Sequence, residues 1–279
     1  MFRLLREYLV WQRTWQEKEN LNIRSDYLKL GGEEYPAYFN LHLVEEILRQ
    51  MEVTHPEPEE DDGFLNSGLC YFCRRNLELT DYKLIRDETG RPDRKVCSAC
   101  YDRLIHDPET LKTLARQVEQ DLCGTYQITL PQIRHYRFRS ARDMNKRVKR
   151  KTKRGRIVGL AEWLTRTVSV EGDSPKEYIL MHLAHEITHM WQFASIRCDD
   201  ITAMEGHSSY MEVRYMHDLG YTDLEKYKDN NLRHRTDDPY GAGYLKLLEA
   251  MKDREDGNPF HYMLEAYPLK AKADSARKK

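Results

Sequence analysis

Apolar residues recur at helical spacing in several stretches of this chain, and the clearest stretch follows Ser174-Pro175-Lys176-Glu177. These four residues are typical of a capping box with proline at the first helical position, so they predict the start of a helix. The apolar positions behind them share one helical face and are Ile179, Leu180, Leu183, Ile187, Met190 and Trp191. Their spacing predicts a long helix with one buried side.

Other runs predict further elements. Runs of β-branched and aromatic residues predict strands at 82–85, within 128–138 and at 165–170. A helical pattern begins near Tyr101 and continues through Leu111, Leu114, Val118 and Leu122. The groups 4–9 and 41–48 also have helical spacing. We therefore expect an α+β protein.

The predicted long helix contains a metal-binding pattern, His185-Glu186-Ile187-Thr188-His189. Residues four apart share a helical face, so His185 and His189 could bind one metal ion while Glu186 flanks it. Short motifs of this kind also arise by chance, but the capped amphipathic helix around this one favours a catalytic zinc site.

A catalytic zinc needs a third protein ligand and an open position for water. Glu205 follows His189 by sixteen residues and lies on a second predicted helix. Ser209 and Glu212 share its helical face and could orient the ligands from behind. Glu212 is also the rival third ligand, whereas His207 points to another side of the helix. The spacing favours Glu205, with Glu212 as the alternative third ligand.

Four of the six cysteines form two Cys-x-x-Cys pairs, Cys70 with Cys73 and Cys97 with Cys100. Because 23 residues lie between the pairs, they predict a tetrahedral structural zinc site. A pair, a strand with a turn, a second pair and a helix form the outline of a treble-clef or half-LIM module. Zinc would supply stability that so short a segment cannot gain from its own core.

Disulfides are the alternative for these cysteines, but the sequence favours a reducing, cytoplasmic setting. Charged residues interrupt the N-terminal segment 1–7, and we find no run of membrane-spanning length. Cys123 and Cys198 are interpreted as ordinary thiols.

The order of HExxH, an intervening stretch and a Glu-Gly pair resembles the gluzincin metallopeptidases, in which that Glu, here Glu205, is the third zinc ligand. The wider set of motifs resembles the ubiquitin-activated LIM-domain peptidases that restrain organ growth in plants, and their bacterial relatives. The similar segments are 70–73, 82–85, 97–107, 183–191, 204–206 and Asp238-Pro239-Tyr240-Gly241-Ala242-Gly243-Tyr244. The resemblance covers about residues 67–255.

This resemblance implies a zincin-like peptidase domain, a LIM-like module and one zinc ion in each. Glu186 would be the general base for a zinc-activated water. Tyr240 is the first candidate for the donor that stabilises the oxyanion, with Tyr244 and His207 as alternatives. A complete LIM domain has two such modules and this sequence shows one. We also find no ubiquitin-interacting motif in its first sixty residues, so the ubiquitin dependence of the plant members is not carried over, and a bacterial-type or stripped-down relative is expected.

Together the patterns predict five segments. They are a helical N-terminal extension (1–53), an acidic linker (54–66), a four-cysteine zinc module with its following helix (67–125), a zincin-like peptidase domain (126–269) and a disordered tail (270–279).

Charge is unevenly placed although the net charge is −1. Residues 1–63 hold seven Lys or Arg against fourteen Asp or Glu, so this region could recruit a partner or pack on the catalytic domain. Residues 134–156 hold twelve Lys or Arg and one Asp, with the densest run, 146–156, predicted as an exposed loop between strands. Such a run can bind nucleic acid, but a solvated loop or one that steers acidic substrates is commoner.

The predicted strand at 165–170 precedes the active-site helix. In zinc peptidases of this architecture such a strand is commonly a sheet edge that pairs with substrate backbone, here through Thr167, Val168 and Ser169. An ordinary internal strand is the alternative.

The sequence thus predicts a cytoplasmic zinc-dependent peptidase, and an endopeptidase because no exopeptidase motif precedes the helix. We expect protein or peptide substrates, a regulatory protein on the N-terminal arm or zinc module, and neither membrane nor nucleic-acid partners. The alternative function is a zinc-stabilised nucleic-acid- or protein-binding regulator with an inactive HExxH site.

Overall fold

The computed structural model describes the backbone of 27–30 and 33–36, and residues 68–77, 81–148 and 156–269 with their side chains. The chain divides into two compact units, Met1–Val53 and Thr54–Lys279. In the first unit an antiparallel hairpin joins β1 (Tyr27–Leu30) and β2 (Glu33–Pro36), which the helical interpretation of 1–53 did not predict. The predicted helices of 1–53, the linker and the tail 270–279 lie outside the described residues.

The described part of the second unit begins with the four-cysteine module. Its hairpin consists of β3 (Tyr82–Arg86) and β4 (Pro92–Cys97), and the short helix α1 (Ser98–Tyr101) follows directly. The strand predicted at 82–85 is therefore confirmed. A small core fills the module and consists of Cys70, Phe72, Leu77, Ile85, Val96, Cys97 and Cys100.

Helix α2 (Pro108–Tyr126) starts later than predicted. Strand β5 (Leu104–Ile105) interrupts the pattern by pairing with β9 (Ser174–Pro175), and the Asp107 side chain then caps α2 by accepting from Glu109 and Thr110. The buried side of α2 belongs to the large core around the HExxH helix. The expected boundary at 125/126 therefore does not separate compact units.

A three-stranded sheet has the order β6 (His135–Arg139), β8 (Thr167–Glu171), β7 (Gly159–Glu162). Strand β6 runs parallel to β8, and β7 runs antiparallel to it. The predicted strand at 165–170 begins two residues late because a turn, with Arg166 at φ 52°, precedes it. Residues 128–130, which were predicted as strand, have no regular structure.

Helix α3 (Ala141–Val148) contacts Leu160 of β7. Its Met144 and Val148 pack with Ile157 and Leu160. The basic run predicted as a loop at 146–156 thus begins inside a helix, and its residues 149–155 lie outside the described part of the chain.

Five helices complete the described unit: α4 (Lys176–Ser195), α5 (Ile201–Asp218), α6 (Thr222–Arg233), α7 (Pro239–Met251) and α8 (Pro259–Ala266). The predicted apolar face of α4 is buried, as expected for a core helix. The predicted capping box is wrong, because α4 has no side-chain cap and Ser174 hydrogen-bonds Arg94 and the Gly172 carbonyl instead. The described chain is a mixed α+β fold. Among its described residues, no helix combines the length and apolar character that a membrane span needs.

Candidate metal centre

Three side chains that could ligate a metal meet where α4 packs against α5. The Nε2 atoms of His185 and His189, one helical turn apart, lie 3.0 Å from each other. Oε2 of Glu205 on α5 lies 3.3 Å from each of them. All three ligand atoms lie within 4.8 Å of one another, so one ion could contact all three.

The electrostatics of this cluster favour a cation. Burial lowers the pKa of His185, but the carboxylates of Glu212 and Glu205 outweigh burial and raise that pKa to about 10. Burial raises the pKa of Glu205, whereas His189 and His185 lower it to about 2. Two imidazoles and a carboxylate are the ligand set of many catalytic zinc sites, so these residues fit zinc.

Glu186 lies beside this cluster and is 7% exposed. Burial raises its pKa to about 7, assisted by the carboxylates of Glu205 and Glu212 and opposed by the two histidines. Its Oε1 occupies space next to Gly159 of β7, where an added Cβ would lie 2.3 Å away. The strand therefore approaches the carboxylate only because residue 159 is glycine.

Gln192, one turn after His189, was not predicted. Its Oε1 lies 2.7 Å from Nδ1 of His189, and its Nε2 donates to the Met204 carbonyl at 2.9 Å. Since a carbonyl only accepts, this bond fixes the amide orientation, and Nδ1 of His189 must then carry the proton. The lone pair of His189 is thus on Nε2, which faces Glu205. Only its position on the buried face of α4 could have pointed to Gln192.

His207 belongs to the buried core rather than to the candidate metal cluster. It is fully buried, its ring packs edge-on against Trp191 and Phe260, and its Nδ1 lies 3.0 Å from Nε2 of Gln192. Burial, with the nearby His189 and His185, lowers its pKa to about 3. Its proposed role as an oxyanion donor is wrong, because a substrate cannot reach a fully buried ring.

Glu212 approaches His185 from the side opposite to Glu205. Its Oε2 lies 3.6 Å from Nδ1 of His185 and 2.7 Å from Nζ of Lys228, a residue of α6 that no sequence pattern singled out. The geometry therefore favours Glu205 over Glu212 as third ligand. The Ser209 hydroxyl is buried without a hydrogen-bond partner and orients no ligand.

The two candidate tyrosines of α7 differ in environment. The Tyr240 ring stacks on His185 with 6.2 Å between centroids and is half-buried. Tyr244 is 2% exposed, and its hydroxyl donates to Asp229 of α6. Tyr240 therefore stays a candidate, whereas Tyr244 has a structural role away from the cluster.

The expected substrate-binding edge is wrong. Thr167, Val168 and Ser169 lie in β8, which pairs with β6 on one side and β7 on the other, so its backbone groups are already used. In the described chain the two edge strands of this sheet are β6 and β7, and β7 contains Gly159, the residue next to Glu186.

A second candidate metal site lies in the four-cysteine module. The Sγ atoms of Cys70, Cys73, Cys97 and Cys100 lie within 4.8 Å of one another as free thiols, so one metal ion could contact all four. Hydrogen bonds from the Cys100 thiol and the Cys97 backbone lower the pKa of Cys70 to about 4. A thiolate is the form that binds zinc.

Buried polar contacts join this module to the core around α4. The Tyr178 hydroxyl, in the first turns of α4, donates to the Phe72 carbonyl at 2.5 Å. Arg94 is 3% exposed and contacts Glu171 of β8 at 3.2 Å, while Arg156 bridges Glu171 and Asp93. The knuckle that carries Cys70 and Cys73 is thus tied to the HExxH helix.

Comparisons with models of protein families, with curated proteins and with solved structures found no match for this chain.

Proposed function

We propose that this protein is a zinc-dependent peptidase, specifically an endopeptidase of the gluzincin type with a zincin-like fold. The observation that carries the proposal is the convergence of His185, His189 and Glu205 on one point, with Glu186 beside them. A purely structural site has no need for a buried carboxylate next to its ligands. The α+β arrangement of a three-stranded sheet packed on the HExxH helix is compatible with a zincin-like fold.

The reaction roles follow from the environment of each group. A zinc ion bound here would activate a water molecule and polarise the carbonyl of the peptide bond. Glu186 is suited to accept the proton of the attacking water, because its pKa of about 7 lets it bind and release a proton near neutral pH. The same carboxyl can then protonate the leaving amine. Tyr240, stacked on His185, is the proposed oxyanion donor.

Substrate binding is assigned to β7 in place of β8. A peptide in extended conformation could hydrogen-bond the edge of β7 as an added strand. The peptide would then pass beside Gly159 and Glu186, because these two residues are in contact. Protein or peptide chains are therefore the proposed substrates.

The four-cysteine module is proposed to hold a second, structural zinc ion. Four free thiols whose Sγ atoms could all contact one ion support this assignment. Free thiols are also compatible with a reducing compartment such as the cytoplasm, which we propose as the location. We propose that the module or the N-terminal arm receives a regulatory protein.

Metal content and proteolysis test the proposal together. Elemental analysis should find two zinc ions in wild type, one in His189→Ala, one in Cys97→Ala, and two in the control His261→Ala, an exposed histidine. Incubation with denatured protein substrates, followed by mass spectrometry, should detect new N-termini for wild type and none for Glu186→Gln. A single zinc ion that survives His189→Ala, or equal cleavage by Glu186→Gln, would refute the peptidase.

A further inference from the structure

Glu212 is a buried carboxylate surrounded by three basic side chains. It is 3% exposed, and its Oε1 lies 3.4 Å from Nδ1 of His182. Its Oε2 lies 3.6 Å from Nδ1 of His185 and 2.7 Å from Nζ of Lys228. His182 and His185 belong to α4, Glu212 to α5 and Lys228 to α6, so the carboxylate joins three helices.

Lys228 is the closest of the three basic side chains to Glu212, with its Nζ 2.7 Å from Oε2. A buried carboxylate is costly unless a counter-charge pairs with it, so Glu212 would turn away if this partner were lost. Lys228 thus holds the Glu212 carboxylate in place behind the His185 ring.

The Nδ1 atom of His185 is buried and has no hydrogen-bond partner at its present 3.6 Å from Glu212. A small rotation of the imidazole would make this contact a hydrogen bond. Nδ1 would then carry the proton, and Nε2 would present its lone pair toward Glu205 and His189. On the other ligand, Gln192 already holds His189 in the equivalent tautomer.

We propose that Lys228 is a positioning residue for the metal ligand His185, and that it acts through Glu212. This inference rests on the proposed function only in taking His185 as a zinc ligand. Helix α6 is itself tied to the four-cysteine module, since Nη2 of Arg74 donates to the Tyr227 hydroxyl at 2.9 Å, next to Lys228 in the chain.

The test measures the metal site directly. Lys228→Met, Lys228→Arg and the control Lys226→Met, an exposed lysine of the same helix, are compared with wild type. Zinc affinity at the His185 site is measured by competition with a chelator, and the site is probed by the visible absorption of bound Co²⁺. Retention of the zinc in the four-cysteine module and a circular-dichroism spectrum like that of wild type show that each variant is folded.

Lys228→Met should weaken zinc binding at the His185 site roughly 10-fold to 100-fold and shift the Co²⁺ spectrum, as loss of outer-shell contacts does elsewhere. Lys228→Arg should restore affinity and spectrum, because it keeps the charge. Lys226→Met should match wild type. Affinity and spectrum of Lys228→Met within twofold of wild type would overturn the proposal.

A second variant covers the case in which Lys228→Met fails to fold. The double variant Glu212→Gln, Lys228→Met leaves no buried unpaired charge, and it should bind zinc as weakly as Glu212→Gln alone, since both residues act through one contact. Additive losses would show that Lys228 does not act through Glu212. None of these readouts needs proteolysis, so absence of peptidase activity would refute the proposed function and leave this inference standing.

Discussion

Gly206 and Gly243 are in direct backbone contact where α5 crosses α7. A Cβ on Gly206 would lie 2.2 Å from the carbonyl carbon of Gly243, and a Cβ on Gly243 would lie 1.9 Å from the Thr202 carbonyl oxygen. Only glycine at both positions permits this approach. The contact lies next to Glu205 and one turn from Tyr240, so it sets how the two helices present these side chains.

Substitution at the crossing should therefore be costly. Gly206→Ala or Gly243→Ala should lower the free energy of unfolding by about 1–3 kcal/mol or more, because backbone rather than a flexible side chain must move. Urea denaturation measures the change. Gly124→Ala in α2 is the control, since a Cβ there meets nothing within 4 Å. Helix propensity predicts that it is stabilising by about 0.5–1 kcal/mol. Equal stabilities of the crossing variants and wild type would contradict the close contact.

The crossing also explains which part of the site the sequence could indicate. Helical periodicity and a short motif were enough to predict the roles of His185, Glu186 and His189. The two glycines also stood in the sequence motifs that contain Glu205 and Tyr240. The sequence did not show why glycine is needed at these two positions, because the contact joins residues that are far apart in the chain. Gln192 and Lys228 lacked any local signal for the same reason.

The errors in the predicted fold have a similar cause. Periodicity identified the helix α4 and the strand β3 because both are local. The position of β8 inside the sheet and the pairing of Leu104–Ile105 with Ser174–Pro175 depend on long-range hydrogen bonds. A local pattern describes which face of a strand is buried, but it does not say which strands lie on either side.

Gly159→Ala should separate metal binding from reaction chemistry. The added Cβ would lie 2.3 Å from Oε1 of Glu186, so the carboxylate must move away from its present place. We expect kcat to fall at least tenfold, as displacement of a general base predicts, while two zinc ions remain bound. Elemental analysis and a peptide-cleavage assay check both expectations, with Glu186→Gln as reference. Unchanged kcat would argue against Glu186 as the base, whereas loss of zinc would place Gly159 in the support of the metal site.

Gln192→Met should weaken zinc binding at the same site, because Gln192 contacts the ligand His189. The substitution removes both the acceptor for Nδ1–H of His189 and the side-chain donor to the Met204 carbonyl. We expect zinc affinity to fall roughly 10-fold to 100-fold and the free energy of unfolding to fall by about 1–3 kcal/mol. Chelator competition and urea denaturation measure the two effects. Gln120→Met, an exposed position of α2, should change neither; if Gln192→Met behaves like this control, the amide does not fix His189.

Loss of the metal from the four-cysteine module should loosen the start of the HExxH helix. The Tyr178 hydroxyl bonds to the Phe72 carbonyl, which lies between two of the cysteines, so disorder of the knuckle removes the partner of a largely buried tyrosine. In Cys97→Ala, amides in the first two turns of α4 should exchange hydrogen faster, while those around His189 change less.

The control is Cys123→Ala, which removes a cysteine outside the four-cysteine module and should leave the exchange pattern of α4 unchanged. Tyr178→Phe should reproduce part of the effect with zinc still bound to the module, because it removes the hydrogen bond and keeps the ring. If α4 exchanges at the wild-type rate in both Cys97→Ala and Tyr178→Phe, the module does not stabilise the HExxH helix.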